Sequence, residues 1–283
     1  MTVAIVTDSA AALPPELVDR YGISVVPMWV TVGGRSAHED EIPLAELLTR
    51  RDVTTSGPTP GEFQSVIATR NGPDGVCVLT IAATMSSTHE AAVLGARAAG
   101  GNVRVVDTGT AAGAQALVVL AAAAAAASGA SLDGVEAAAR AAVDQVRLVA
   151  SVPNLDHLVR SGRVPNIAGR AGRALGLAPL FEFRDGTAHP LRPARGMDAA
   201  LDRMVTRCRR DARTGARLQV AALHAQAPDE AEELVARVRR IAEPDVAFVA
   251  SFGLVMIVHT GPGLVGLAWR WLPPDAGPAG ISG

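Results

Sequence analysis

Three short polar clusters, far apart in the sequence, carry the side chains best suited to chemistry. Each follows an apolar run: Thr54-Thr55-Ser56, Ser86-Ser87-Thr88 and His259-Thr260. The last cluster comes after the run 252–258 and before a Gly-Pro-Gly turn, so an imidazole stands at the edge of an apolar segment. Hydroxyl and imidazole groups can donate hydrogen bonds to an anion. Together they predict a polar head-group site beside an apolar interior, although a histidine at a strand end is often only structural.

The hydroxyl clusters also lie where helices are expected to begin. Thr59-Pro60-Gly61-Glu62 and Ser87-Thr88-His89-Glu90 have the spacing of capping boxes, in which a hydroxyl and a carboxylate bind the first free backbone N–H groups. Neither box needs Thr55 or Ser86. These two hydroxyls are therefore the ones expected to be free to bind a ligand.

The hypothesis of an enzyme starts from Asp8, which ends the first apolar run. Such an aspartate could be a phosphatase nucleophile, but the second aspartate usual two positions later is replaced by Ala10, and a polar turn is the simpler interpretation. A hydrolase or phosphotransferase that uses Asp8 or Ser86 with His259 is the alternative hypothesis. The acidic stretch His38-Glu39-Asp40-Glu41 is predicted to be a solvated turn, since the six histidines have no metal-ligand spacing. No metal site is expected.

Composition excludes several classes of function. The net charge of −2 gives no electrostatic reason to expect binding to nucleic acid or to an anionic membrane. All 26 basic residues are arginine, so a P-loop lysine and a Schiff-base lysine are both excluded. Cys77 and Cys208 suggest neither a disulfide framework nor a metal knuckle. The run 114–127 is too short to span a membrane, and the N-terminus lacks the basic region of a signal peptide, so we expect a cytoplasmic protein.

The order of the elements predicts an α/β fold with two domains. Short apolar runs alternate with helical segments in the first half, which indicates an N-terminal three-layer α/β/α domain at 1–150 with a mostly parallel sheet. The second half predicts a C-terminal two-layer α/β domain with a mixed sheet at 151–275, followed by a tail at 276–283. Single strands are expected at 23–32 and 254–259, a helix at 132–149, and a hairpin at Asp185-Gly186.

The polar motifs, taken in order, resemble those of the DegV family of bacterial fatty-acid-binding proteins (FakB type). The similarity runs from residue 3 to about residue 271, and its specificity lies in the order of motifs that are weak one by one. They are Thr7-Asp8-Ser9, Thr55-Ser56-Gly57-Pro58-Thr59-Pro60, Ser86-Ser87-Thr88, Val106-Asp107-Thr108, Gly162-Arg163-Val164, Arg195-Gly196 and His259-Thr260-Gly261-Pro262-Gly263.

This resemblance implies that one long-chain fatty acid is buried in an apolar tunnel between two domains, with no cofactor of the protein's own. It implies that Thr55 and Ser86 bind the carboxylate, with His259 nearby, and it makes Ser56 and Thr260 secondary candidates. It also implies a carrier rather than an enzyme.

The resemblance further implies a partner, a separate fatty-acid kinase (FakA-like) to which the carrier presents the acid. Arg163 and Arg195 match family motifs that could face that kinase or the new phosphate, and an ordinary ion pair is an equal alternative. The chain departs from the family pattern at Ala82-Ala83, at Gly57, and at Ser87 and His89. These departures put chain-length preference and kinase pairing in doubt more than lipid binding.

Overall fold

The computed structural model describes residues 2–50, 52–153, 155–162 and 176–274. Within these residues the chain forms strands and helices joined by short loops, with 3-10 turns at Ser9–Ala11 and Glu39–Glu41. In chain order the elements are β1 (Ala4–Asp8), α1 (Pro15–Tyr21), β2 (Ser24–Val26), β3 (Trp29–Val32), β4 (Arg35–His38), α2 (Leu44–Thr49), β5 (Val53–Ser56), α3 (Pro60–Arg70), β6 (Val76–Thr80), α4 (Thr88–Ala99), β7 (Val103–Asp107), α5 (Ala112–Ala127), α6 (Leu132–Gln145), β8 (Arg147–Ser151), α7 (Asp156–Ser161), β9 (Leu177–Arg184), β10 (Thr187–Arg195), α8 (Gly196–Arg210), β11 (Arg217–His224), α9 (Pro228–Arg239), β12 (Val246–Ser251), α10 (Leu254–Thr260) and β13 (Val265–Leu272).

The strands form three sheets. The first is parallel, in the order β2-β1-β6-β7. The last is mixed, in the order β10-β9-β8-β13-β11-β12, with β11 and β12 parallel and the other neighbours antiparallel. These two sheets confirm the predicted α/β fold class. A small antiparallel sheet, β4-β3-β5, was not predicted. The domain boundary near residue 150 stays a prediction, and the tail at 276–283 lies outside the described residues.

Helix α5 is the layer that the two large sheets share. It is almost entirely buried and contacts β1 and β6 on one side and β11 and β13 on the other. Its alanine-rich composition gives a narrow helix that fits between two sheets. At Gly113 a Cβ atom would lie 2.5 Å from the Leu223 side chain and 3.0 Å from that of Ala221, so only glycine permits this close approach.

Local sequence signals account for several of the element boundaries. Thr59 and Glu62 form the predicted capping box at the start of α3, with the Glu62 N–H donating to Thr59 Oγ1 and the Thr59 N–H donating to Glu62 Oε2. Asp185 and Gly186 both have positive φ, as a two-residue hairpin between β9 and β10 requires.

That hairpin tip also fastens the mixed sheet to the first half of the chain. The Thr84 hydroxyl donates to the Gly186 carbonyl at 2.6 Å, and the Gly186 N–H donates to the Gly109 carbonyl at 2.9 Å. A Cβ atom at Gly186 would overlap Thr84 Oγ1. The tip of the hairpin therefore needs glycine for its backbone and for its contact.

Three secondary-structure predictions were wrong. The expected strand 23–32 is split between two sheets as β2 and β3, because Pro27 between them has no N–H for a ladder. The expected helix 132–149 ends at Gln145, and β8 begins at Arg147, since this second segment pairs with β9 and β13. The expected strand 254–259 is helix α10, because a short apolar run covered on several sides has no periodicity to distinguish the two.

Candidate functional site

The candidate site is a cavity of about 480 Å³ between the parallel sheet and the mixed sheet. Its walls come from the loop after β6, the end of β5, the start of α5, helices α7 and α10, and one face of β8, β9 and β13. The loop after β6 lies at the carboxyl end of the parallel sheet, where open α/β sheets commonly bind ligands. The volume is within the range of roughly 300–1,000 Å³ typical of small-molecule sites.

Most of the cavity wall is apolar, and its floor is one face of the mixed sheet. Phe181 lies opposite Ala150 and Phe183 lies opposite Leu148 in the ladder, and Gly266 continues the first of these rows. Small side chains in the middle of that row leave space above the sheet. The other apolar lining residues are Met28, Ile81, Ala83, Met85, Ala111, Ala112, Leu158, Phe252, Val255, Met256 and Leu264.

Hydroxyl groups and one imidazole gather in the same cavity. Thr55, the third residue of β5, and His259, near the end of α10, share a hydrogen bond of 2.8 Å between Oγ1 and Nε2. This contact joins residues that are 204 positions apart in the sequence. The structure therefore brings together two of the three predicted ligand-binding residues.

The third residue, Ser86, lines the cavity beside the end of β5. A Cβ atom at Gly57 would lie 3.4 Å from Ser86 Oγ and would overlap Thr88 Oγ1. The absence of a side chain at Gly57 therefore lets the Thr55 segment approach the Ser86 loop closely. Thr55, Ser86 and His259 all line one cavity, and their role in binding stays a prediction.

The predicted capping box at Ser87 is absent from the structure. Ser87 makes no side-chain cap, and Ser86 Oγ accepts a hydrogen bond of 3.3 Å from the Thr88 N–H instead. Ser86 and Thr88 also share a hydroxyl–hydroxyl bond of 2.7 Å. The expectation that Ser86 is not needed at the helix start was wrong, because the preceding turn places Ser86, not Ser87, over the first free amide.

This arrangement can supply neutral hydrogen-bond donors to an anion. A hydroxyl has one proton and two acceptor lone pairs. When His259 donates to Thr55 and Thr88 donates to Ser86, both cavity hydroxyls keep their own protons for a ligand. Two O–H groups are thus available as donors, and among the described residues no arginine lines the cavity.

Of the four secondary candidates, two line the cavity, one does not, and one lies outside the described residues. Ser56 and Thr260 line the cavity, but the Thr260 hydroxyl donates to the Met256 carbonyl at 2.9 Å, one helical turn back. Arg195 is exposed at the end of β10 and is not part of the cavity wall. Arg163 lies outside the described residues.

Asp8 is fully buried and does not line the cavity. Its carboxylate accepts hydrogen bonds from the N–H of Ile81 at 2.8 Å, from the N–H of Ala10 at 3.0 Å and from the Gln115 side chain at 3.1 Å. Burial raises its pKa to about 6 in spite of these three donors. A carboxylate so enclosed is poorly placed for nucleophilic attack on a ligand in the cavity.

The acidic stretch after β4 is only partly the solvated turn that was predicted. Asp40 and Glu41 are exposed, whereas Glu39 is buried, with 7% of its surface accessible. Its carboxylate accepts hydrogen bonds from the Ser9 hydroxyl and from the Val255 N–H, the latter at 3.1 Å. Burial raises the pKa of Glu39, and the two donors oppose that rise. A charge run gave no sign that one member would be directed inward.

Sequence reasoning also missed the aromatic floor of the cavity. The chain has only five phenylalanines, and Phe181, Phe183 and Phe252 all line the cavity. In a core otherwise built from Ala, Val, Leu and Ile, the rarity of phenylalanine was the available signal.

The described part of the chain was also expected to lack a metal site and a membrane-spanning helix. No group of three or more His, Cys, Asp or Glu side chains in residues 2–50, 52–153, 155–162 and 176–274 is arranged to hold a metal ion. Among the helices in those ranges, none combines the length and the apolar character that crossing a bilayer requires.

Comparison with known proteins agrees with this architecture. The family model of the uncharacterised DegV proteins matches residues 2–271. A DegV domain-containing protein of Streptomyces coelicolor is 39% identical over 273 residues, which cover 94% of this chain and 97% of that protein. A fatty acid-binding protein of Thermotoga maritima is 28% identical over 278 residues, covering 94% of this chain and 96% of the relative. The structure of a fatty acid-binding DegV family protein from Thermus thermophilus has a TM-score of 0.87 at 30% identity and covers 96% of this chain and 100% of its own. The chain therefore belongs to the DegV family.

Proposed function

We propose that this protein is a carrier that binds one long-chain fatty acid in the cavity between its two large sheets. The observation that carries the proposal is the composition of a single cavity, with Thr55, Ser86 and His259 among apolar walls. The Thermotoga and Thermus relatives, which bind fatty acids, support it.

The apolar walls account for most of the expected affinity. Burying a chain of about 16 carbons at about 0.8 kcal/mol per CH2 group yields roughly 12 kcal/mol before the costs of ordering the ligand. The carboxylate must still be hydrogen-bonded, because an unpaired buried charge costs several kcal/mol. In this proposal Thr55 and Ser86 donate to it, and His259 holds Thr55 in the orientation that leaves its proton free.

We propose further that the bound carboxylate is presented to a separate fatty-acid kinase. Neutral hydroxyl donors leave lone pairs of the carboxylate available, whereas a bidentate arginine pair would hold both oxygens and reduce their nucleophilicity toward ATP. The protein's own contribution is to bind the tail and to orient the head group. It needs no nucleotide site for this task.

Mass spectrometry of the purified, denatured protein tests lipid binding. A co-purified long-chain acid is expected in the wild-type protein and is expected to be depleted in a Thr55→Ala/Ser86→Ala double variant. The matched control is Thr31→Ala/Ser36→Ala, which removes another Thr–Ser hydroxyl pair, 2.7 Å apart and exposed on the small sheet. Full lipid occupancy in the first double variant would contradict the assigned head-group site.

Presentation is tested separately with a purified bacterial fatty-acid kinase and ATP labelled in its γ-phosphate. Labelled acyl-phosphate should form with the lipid-loaded wild-type protein and not with free acid alone. Equal labelling of free acid would contradict the carrier role while leaving lipid binding intact.

A further inference from the structure

The buried carboxylate of Glu39 joins parts of the chain that are remote in sequence. One oxygen accepts the hydrogen bond from the Ser9 hydroxyl, whose own oxygen accepts the N–H of Met28 at 3.0 Å. The other oxygen accepts the N–H of Val255 in the first turn of α10, 216 positions away. Glu39 thus ties the start of α10 to the loops beside the parallel sheet.

Helix α10 is the wall that carries His259. Val255, Met256, His259 and Thr260 all line the cavity, and the helix packs on α7, on α2, and on β3 and β5 of the small sheet. It is flanked by Gly253 at one end and Gly261 at the other. Glycine restricts the backbone little, so the position of the helix depends on contacts such as the Phe252 N–H to the His224 carbonyl at 2.8 Å, and on contacts of the helix itself.

Glu39 is well placed to fix the position of α10, because its carboxylate accepts a hydrogen bond from the backbone of that helix. A carboxylate is stabilised at a helix N-terminus, where backbone N–H groups have no partner within the helix. In the described part of the chain Glu39 has no salt bridge, and the nearby charged groups are the carboxyls of Asp40 and Asp8. The donors of Ser9 and α10 are therefore the contacts that compensate for its burial.

We propose that Glu39 is a positioning residue, which holds α10 by the Val255 amide so that His259 meets Thr55 at the polar end of the cavity. This inference rests on the proposed function, since it assigns a residue to the same ligand site. Glu39 acts at one end of a seven-residue helix, and the imidazole that it places lies near the other end.

The first test compares Glu39→Ala with Glu39→Gln, and uses Glu41→Ala, in the same turn but exposed, as the matched control. Release of labelled palmitate from each protein to an excess of phosphatidylcholine vesicles should be roughly 10- to 100-fold faster in Glu39→Ala. This is the factor expected when the palmitate carboxylate loses one hydrogen bond, the one from Thr55. Glu39→Gln should release palmitate close to the wild-type rate, because its amide oxygen can accept from Val255 and its amide nitrogen can donate to Ser9. Glu41→Ala should be unchanged.

Two spectroscopic readouts on lipid-free protein separate positioning from general damage. In Glu39→Ala the Val255 amide should exchange its proton faster, and the nitrogen resonance of the His259 ring should lose the position set by its bond to Thr55. Glu39→Gln should restore both signals. Wild-type palmitate release in Glu39→Ala, or equal defects in the Ala and Gln variants, would overturn the proposal.

Gly253 provides an independent variant. A Cβ atom at this position would overlap Glu39 Oε2, so Gly253→Ala should displace the carboxylate and reproduce the Glu39→Ala signals. In a Glu39→Ala background the same change should add little, and additive effects would refute the coupling. If the wild-type protein takes up no palmitate, the proposed function fails, whereas the exchange rate and the ring resonance still decide the role of Glu39.

Discussion

Replacing Asp8 by asparagine should remove a large part of the pH dependence of stability. Asp8 is the last residue of β1, at the carboxyl end of the parallel sheet, and is fully buried. The effect of burial outweighs that of its three hydrogen bonds, so its pKa rises from 3.8 to about 6. Beside it, Gln115 donates its amide to the carboxylate, and the other amide atom, Oε1, has no hydrogen-bond partner among the described residues. This pocket is better matched to a protonated or neutral side chain than to a charged one.

The direction in which stability changes with pH follows from the direction of the pKa change. An acid whose pKa is raised by folding contributes stability that is fully present below its unfolded pKa, 3.8, and is lost as the pH rises through its folded pKa, about 6. That interval corresponds to about 3 kcal/mol of unfolding free energy at 1.36 kcal/mol per pH unit. The asparagine of the Asp8→Asn variant stays neutral and cannot lose this contribution, but it leaves one backbone N–H without an acceptor, at a cost of about 1–3 kcal/mol.

The measurement is urea unfolding of lipid-free wild-type protein and Asp8→Asn between about pH 3 and pH 7.5, a range that covers both pKa values. The variant should be the less stable protein at the acid end, and the gap should close by about 3 kcal/mol toward neutral pH. Asp19→Asn, an exposed change on α1, is the control for loss of one negative charge. A gap that stays constant with pH would refute the reasoning, because the stability would then be independent of Asp8 ionisation.

Three further predictions concern the cavity, the hairpin and the thiols. Ala150→Leu should fill the middle of the cavity floor and shift the co-purified acid to shorter chains, read by mass spectrometry of denatured protein; an unchanged acid profile would contradict the assignment of this floor to the acyl chain. In chemical denaturation, Gly186→Ala should lower the free energy of unfolding by about 1–3 kcal/mol more than the control Gly129→Ala does. Both glycines have positive φ, but of the two only Gly186 has a neighbouring side chain that a Cβ atom would overlap. Cys77 and Cys208 should not react with a thiol reagent in the native protein at neutral pH, since burial raises the pKa of each thiol to about 12; rapid native-state labelling counted by mass would show the opposite.

The parts of the fold that the sequence predicts correctly depend on short-range signals. The capping box at Thr59 and the Asp185-Gly186 hairpin are each specified by residues within four positions of one another. The parallel sheet follows from buried strands alternating with helices, as in β1 and β6. These elements need little tertiary information, because the backbone conformation is selected by caps, glycines and β-branched runs.

The candidate site was predicted residue by residue only in part. Thr55, Ser86 and His259 were singled out, and the structure places them on one cavity. The inward direction of Glu39 and the close approach at Gly57 could not be read from the sequence, because each depends on a side chain contributed by a distant segment. A charge run or a glycine is compatible with many neighbours until the tertiary contacts are known.

The error at residues 254–259 had the largest consequence for the site. In a strand, Val255 and His259 would be about 13 Å apart, whereas four residues of helix rise only about 6 Å. The cavity-lining positions of α10 are 255, 256, 259 and 260, a helical spacing that places one face on the ligand space. Because the helix is this compact, an amide held by Glu39 and an imidazole bonded to Thr55 belong to one rigid unit. A strand over the same residues would place alternate side chains on opposite faces, so the polar end of the cavity depends on this segment being helical.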